Sequence, residues 1–227
     1  MLCLFASSNA QKWDLGISYG RFYAIYKYQD WGSGFNNQAN SQYKQFPSFI
    51  VNKKNSEKTS MELRTSFMAY TQYTGTRLYS PGFYSDYLGG NISLTYNYSL
   101  LRSAKLEGRI KGGVGVGILP DRYEADFLEM LVFPIRDSIS RGTIKRDFTF
   151  IFPTLVSGID LNYAMGKKLK ICFAFTYQKG FVKVTEYDIY YNDGSGNNDQ
   201  RAKQWGTGEF YGLQIGLRYG LTNKKNK

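Results

Sequence analysis

Residues 88–118 carry two successive runs in which apolar and polar side chains alternate, and few folds accommodate both. In the first run Leu88, Gly90, Ile92, Leu94, Tyr96, Tyr98 and Leu100 share one face, while Asn91, Ser93, Thr95, Asn97 and Ser99 share the other. A tight connection around Arg102-Ser103 follows. The second run sets Leu106, Gly108, Ile110, Gly112, Val114, Val116 and Ile118 against Lys105, Glu107, Arg109 and Lys111, then Gly113, Gly115 and Gly117. Successive side chains of a strand point to opposite faces, so each run is a strand with one apolar and one polar face. A half-buried soluble sheet shows the same alternation. Two features favour a membrane hairpin instead. Each arm reaches the length of about 9–11 residues that a tilted strand needs to cross a bilayer, and the polar face bears both signs of charge, as the lumen of a narrow barrel does.

Composition agrees with that reading. The 227 residues suit one domain. Aromatics reach 17%, with 20 Tyr and 16 Phe, and amphipathic rings concentrate at membrane–water interfaces. No run of about 18 apolar residues is present, which excludes a membrane helix. The formal charge of +11 is not gathered into a basic patch or a known nucleic-acid motif, so nucleic acid is not expected as a partner. Anionic lipid phosphates are the favoured counterpart, with a charge that merely aids solubility as the bland alternative.

Residues 1–10 resemble the back half of a secretory signal, with Ser8-Asn9-Ala10 at the cleavage positions, although a basic leading segment is lacking. Cleavage after Ala10 would remove Cys3 and leave Cys172, which forms no internal disulfide and falls on an inward position as a small buried side chain. The first strand spans residues 13–28, with a bulge expected beyond Arg21 where Phe22, Tyr23, Ile25 and Tyr26 occupy both faces. The second, residues 41–52, is weakened by Pro47. The third sends Met61, Leu63, Thr65 and Phe67 outward and Glu62, Arg64 and Ser66 inward. Residues 74–87 read as a loop, and 120–146 as a long connection, part helical or part extended sheet. A sixth strand starts at Phe148, Phe150 and Phe152 and slips register at Pro153; its outer face then carries Leu155, Ile159, Leu161 and Tyr163. The seventh sends Leu169, Ile171, Phe173, Phe175 and Tyr177 outward, with Lys170, Cys172 and Thr176 inward. Residues 188–204 read as a Gly/Asn/Asp loop before the last strand, in which Tyr211, Leu213, Ile215, Leu217 and Tyr219 face out and Gln214, Gly216 and Arg218 face in.

The resulting expectation is an all-β fold: an eight-stranded antiparallel up-and-down transmembrane barrel over residues 11–221, with a polar, side-chain-filled interior. Short basic turns (53–58, Arg102-Ser103, 165–168) alternate with long connections, as short periplasmic turns and long external loops do in the outer membrane of Gram-negative bacteria. Residues 222–227 form a basic periplasmic tail. The chain resembles the small eight-stranded outer-membrane proteins of the OmpA/OmpX type and, more narrowly, the PorT-like outer-membrane β-barrel proteins, from Trp13 to Tyr219. The last strand, Glu209 to Tyr219, resembles the signal such proteins present to the barrel-insertion machinery. It departs from the family in that eight residues follow Tyr219.

Three groups of side chains follow from this frame. Glu62, Arg64, Lys105, Glu107, Arg109, Lys111, Asp160, Lys170 and Arg218 are expected to form an interior salt-bridge core, with Glu107 paired to Arg64 or Arg109, because an eight-stranded lumen is just wide enough for side chains to fill and unpaired buried charges are costly. A narrow ion path is the alternative. Ile92, Leu94, Ile110, Val114, Val116, Ile171, Phe173, Leu213, Ile215 and Leu217 are expected to face lipid. Trp13, Tyr19, Tyr96, Tyr98, Tyr163, Tyr177 and Tyr219 are expected to form interfacial girdles. With no His in the chain, Ser–His nucleophilic chemistry is closed to it, and no catalytic residue, cofactor or metal is expected. Asp193, Ser195, Asn197 and Asp199 resemble the first half of a calcium loop without its closing Glu, and a flexible turn is the preferred reading. Trp31 and Trp205 lie in or near external loops, where an exposed Trp marks a binding surface.

The resemblance implies a non-enzymatic membrane protein whose external loops bind a partner, a surface ligand or lipopolysaccharide; its PorT-like side implies an accessory role in protein secretion. Two other classes stand beside it: a small pore, and a soluble lipocalin-like carrier with Leu94, Ile110 and Ile171 turned inward.

Overall fold

The computed structural model describes residues 13–31, 44–76, 79–119, 128–131, 141–191 and 200–221. Among them the chain forms eleven strands: β1 (Trp13–Asp30), β2 (Lys44–Lys54), β3 (Thr59–Thr76), β4 (Tyr79–Arg102), β5 (Leu106–Ile118), β6 (Leu128–Leu131), β7 (Arg141–Phe148), β8 (Ile151–Ala164), β9 (Leu169–Gly180), β10 (Thr185–Tyr191) and β11 (Gln200–Leu221). Eight of these close a ring in the order β1-β2-β3-β4-β5-β8-β9-β11, and β11 returns antiparallel to β1 from Trp13↔Leu221 to Asp30↔Ala202. Closure leaves the ring without an open edge, the condition for a sheet to sit in hydrocarbon.

The alternation in sequence becomes alternation in burial. From Asn91 to Leu100 every second residue is buried and polar, and those between are exposed and apolar. Leu94, Ile110 and Phe173 lie on the exterior, opposite to what a lipocalin-like carrier requires. β2 forms despite Pro47, which pairs with Tyr19, and the bulge of β1 falls between Ala24 and Tyr26.

Two loops expected from sequence are strands instead, and of the two alternatives for 120–146 the described residues show the extended sheet. Within residues 74–87, β3 runs to Thr76 and β4 starts at Tyr79, with Thr76 opposite Tyr79. Within 120–146 the described residues form β6 and the first part of β7, which pair with each other. Within 188–204, β10 and β11 make a hairpin with Tyr191 opposite Gln200. The register slip expected at Pro153 is also absent: β5 and β8 pair without interruption from Leu106↔Tyr163 to Ile118↔Ile151. The discontinuity lies earlier, at Thr149-Phe150, between β7 and β8.

That discontinuity belongs to a seam across three neighbouring parts of the wall. β9 stops at Gly180 and resumes as β10 at Thr185, while β11 bulges over residues 207–209 between its pairing with β10 and its pairing with β9. Backbone hydrogen bonds stitch the seam: Leu119 N–H donates to Phe150 O at 2.9 Å, Thr149 N–H to Val184 O at 2.9 Å, and Val184 N–H to Gly206 O at 2.8 Å. Gly208 carries a left-handed φ of 71°, and a Cβ there would come within 2.4 Å of the Phe152 ring. Only glycine serves both the backbone and the space at that point.

The barrel lumen as the candidate functional site

Below the seam the lumen is filled by charge. Glu62 and Arg64 come from β3, Arg109 and Lys111 from β5, Asp160 from β8 and Arg218 from β11, and all six are buried. Glu62 Oε1 lies 2.7 Å from Arg64 Nη2, and Glu62 Oε2 lies 2.8 Å from Arg218 Nη2. β3 and β11 are not neighbours in the ring, so the second of these ion pairs crosses the lumen. Asp160 is held from three sides: by Arg109 Nη2 at 2.9 Å, Lys111 Nζ at 2.9 Å and Arg218 Nη2 at 3.1 Å. Arg64 Nη1 also donates to Gln214 Oε1, and Gln214 Nε2 donates to Ser48 Oγ at 3.3 Å. Such contacts are charge-assisted and gain strength where water is excluded.

The other three charges named from sequence stand apart from this cluster. Lys105 is exposed, in the turn between β4 and β5, because the strand starts one residue later than the alternation suggested. Glu107 is half-buried and accepts from Ser99 Oγ at 2.7 Å; the carboxylate partner of Arg64 is Glu62, and that of Arg109 is Asp160. Lys170 sits 3.5 Å from Asp14, which also accepts from Asn52 Nδ2 at 3.3 Å. Glu107, Lys170 and Asp14 lie near the turn ends of their strands and line the inner mouth.

Above the ionic tier the lumen turns apolar. Phe22, Phe152, Val156 and Phe210 are buried inward, and Phe22 meets Phe210 edge-on with ring centroids 5.4 Å apart. At the seam Leu119, Val184 and Ala202 are buried as well. Phe152 is completely buried, and the room for its ring comes from missing side chains: a Cβ on Gly117 would fall 2.0 Å from it. Sequence reading placed a polar interior along the whole axis and missed this tier. The alternate spacing of Phe150 and Phe152 suggests one face for both, but the break at Thr149-Phe150 sets Phe150 outside and Phe152 inside.

No family model matches the chain, and no curated protein does. Among solved structures, it is similar to the outer membrane protein OprG from Pseudomonas aeruginosa, with a TM-score of 0.58 at 12% identity, covering 94% of this chain and 97% of that one. It is also similar to a major outer membrane protein from Thermus thermophilus, with a TM-score of 0.50 at 13% identity, covering 93% and 100%. The fold is that of an outer-membrane β-barrel. At such identities the likeness extends to the fold alone, and the exterior supplies the matching chemistry.

The outer-membrane barrel carries its apolar belt where lipid would lie. Ile92, Leu94, Ile110, Val114, Val116, Phe173, Leu213, Ile215 and Leu217 are exposed, and Ile171 is half-exposed. At the inner end Trp13, Tyr98, Tyr163 and Tyr219 face outward, with Tyr96 just above them. Lys53 Nζ lies 5.6 Å from the Trp13 ring and Lys168 Nζ 5.7 Å from that of Tyr219. The outer aromatic girdle includes Tyr177 but is built mainly by residues the sequence reading left out of it: Tyr23 stacks on Tyr211 with centroids 4.9 Å apart. Tyr19 belongs to neither girdle. It pairs with Ile215, six residues along β1 from Trp13, roughly 15 Å above the inner girdle in a belt of about 25 Å.

The outer extension, from β10 into the upper half of β11, is polar and charged. Glu186 is bridged by Lys183 Nζ at 2.6 Å and by Lys203 Nζ, and Asp188 meets Arg201 Nη2 at 2.9 Å. Burial alone would raise the Glu186 pKa, but the hydrogen bonds from Lys183 and Lys203 prevail and hold it below its usual range; the bond to Glu186 likewise raises that of Lys203. Lys183 stands 5.5 Å from the Trp205 ring, and the Arg201 guanidinium 5.5 Å from that of Trp31. Asp193, Ser195, Asn197 and Asp199, like residues 1–10 and 222–227, lie outside the described residues.

Proposed function

We propose that this outer-membrane barrel is a non-enzymatic, non-conducting protein whose external extension serves as an interaction surface. The observation that carries the reading is the filled lumen: an ion pair, Glu62–Arg218, spans it, and the Phe152 tier stacks above. A charged or polar solute has no aqueous route past two such layers, which weighs against the small-pore alternative. Purified full-length protein in planar bilayers is expected to leave the membrane at its baseline conductance; steady, reproducible single-channel currents would overturn the reading. Exposed Trp31, flanked by Arg201, supports contact through the external face. The cations set on the inner girdle support contact with phospholipid phosphates of the inner leaflet, lipopolysaccharide being left to the outer end of the barrel, and β11 is the segment offered to the barrel-insertion machinery. The narrower resemblance to PorT-like proteins adds an accessory role in protein secretion, supported by the residue pattern and the basic inner turns. A deletion strain that secretes its full set of proteins would refute that addition.

A further inference from the structure

Between the ionic and apolar tiers the lumen keeps one small void. It is lined on one side by Glu62, Arg64 and Lys111 and on the other by Phe22, Val156 and Phe210. About 20 Å³ of it is open to the centre of a water-sized sphere, where about 10–15 Å³ suffices for one water. Two amide nitrogens on its wall, Asn91 Nδ2 and Gln178 Nε2, are buried with no hydrogen-bond partner, and so is Thr95 Oγ1. An amide nitrogen can only donate. The charge beside the void is also unbalanced: among the described residues of the ionic tier, Arg64, Arg109, Lys111 and Arg218 face only Glu62 and Asp160, an excess of two positive charges. Lys111 has three protons to donate and is bonded to Asp160 through one. Uncompensated positive charge in a dry interior is expensive, and unpaired buried donors add to the cost. One small anion answers both.

We propose that this void is a halide site, holding a chloride ion between Lys111 and Arg64 on the charged side and Asn91, Gln178 and Thr95 on the amide and hydroxyl side. The space admits one monatomic ion and excludes sulfate, phosphate or a carboxylate. The apolar ring of Phe22, Val156 and Phe210 closes it toward the outside, so the ion is a structural counter-charge and not a passenger.

The test uses the full-length barrel in detergent, with bromide as the probe. Crystals grown in sodium bromide are expected to show an anomalous scattering peak inside the lumen between Lys111 and Asn91. The unfolding midpoint is expected to rise and then saturate as chloride or bromide replaces gluconate at fixed ionic strength, whereas sulfate, acting by exclusion from the surface, gives a rise that does not saturate. Gln178→Leu removes one donor and no charge, and is expected to lower the apparent halide affinity several-fold. Asn91→Leu serves the same end should that variant fail to fold. Density that bromide does not replace, together with midpoints equal in gluconate and chloride, would mean the void holds water alone, and the proposal would fall.

Discussion

Asp160 is the residue whose loss the lumen is least able to absorb. Its carboxylate has no exposed surface and accepts from Arg109, Lys111 and Arg218, each within 3.1 Å. Asp160→Asn keeps the volume and removes the charge, leaving three cations gathered around a neutral amide with Glu62 as the remaining carboxylate of the tier. Removing one partner of a buried ion pair typically costs about 3–5 kcal/mol, because the other is left uncompensated. Here three cations lose the same partner, so we expect a cost at the upper end of that range. Lys111→Met should cost less, since Asp160 keeps both arginines and the tier's excess positive charge falls. Combining the two substitutions should recover part of the Asp160→Asn loss. The assay is reversible urea unfolding in lipid vesicles, followed by the fluorescence of Trp13, Trp31 and Trp205. Should Asp160→Asn lower stability by less than about 1 kcal/mol, the carboxylate would be solvated and the claim of a dry ionic tier would fail.

Phe152→Ala empties a fully buried aromatic site and should cost about 3–5 kcal/mol, yet conductance should stay at baseline because the ionic tier still fills the lumen below; a persistent current would refute the layered lumen. Val114→Lys puts a cation on the exposed apolar face opposite Leu94 and Leu155, well above the inner girdle, and should cost about 2–4 kcal/mol in a bilayer, read from the same urea titration; equal stability of variant and parent would contradict lipid contact at that face. The pKa of Glu186 is depressed in the folded state, so the stability it contributes is present above the ordinary carboxylate range and is lost as pH falls through its lowered folded value. Proteolysis of the outer extension should therefore quicken on acidification, and Glu186→Gln should flatten that dependence.

The wall was legible because lipid and lumen impose opposite demands on alternate residues, and 91–100 meets both in strict alternation. Outside the bilayer that contrast disappears. Residues 74–87 and 188–204 mix Tyr, Ser, Gly and Asp on both phases, so the sequence there shows no alternation and strands read as loops. Pro47 argued against β2 from propensity, and ring closure prevailed over it. The error at Lys105 came from extending an alternation one residue into a turn, where side-chain direction no longer follows the pleat. The Glu107 pairing failed for a related reason: sequence phase gives the face a side chain occupies, not its height along the axis relative to other strands. Strand register supplies that height, and it brings Asp160 rather than Glu107 to Arg109.

Register also explains why the lumen has two tiers. The staves shift along the axis as the ring closes, so inward residues far apart in sequence arrive at a common level. Glu62, Arg109, Asp160 and Arg218 meet at one level, Phe22, Val156 and Phe210 at the next, and Phe152 reaches the seam where two staves break and a third bulges. A continuous β7–β8 would carry the alternation of 148, 150 and 152 through on one face. The break at Thr149-Phe150 turns Phe150 out and Phe152 in, and glycines at 117 and 208 provide the space. The interruption thus lets Phe152 seal the lumen at the level where the outer extension begins. An interaction surface built on that extension can change without disturbing the charged tier that holds the barrel together.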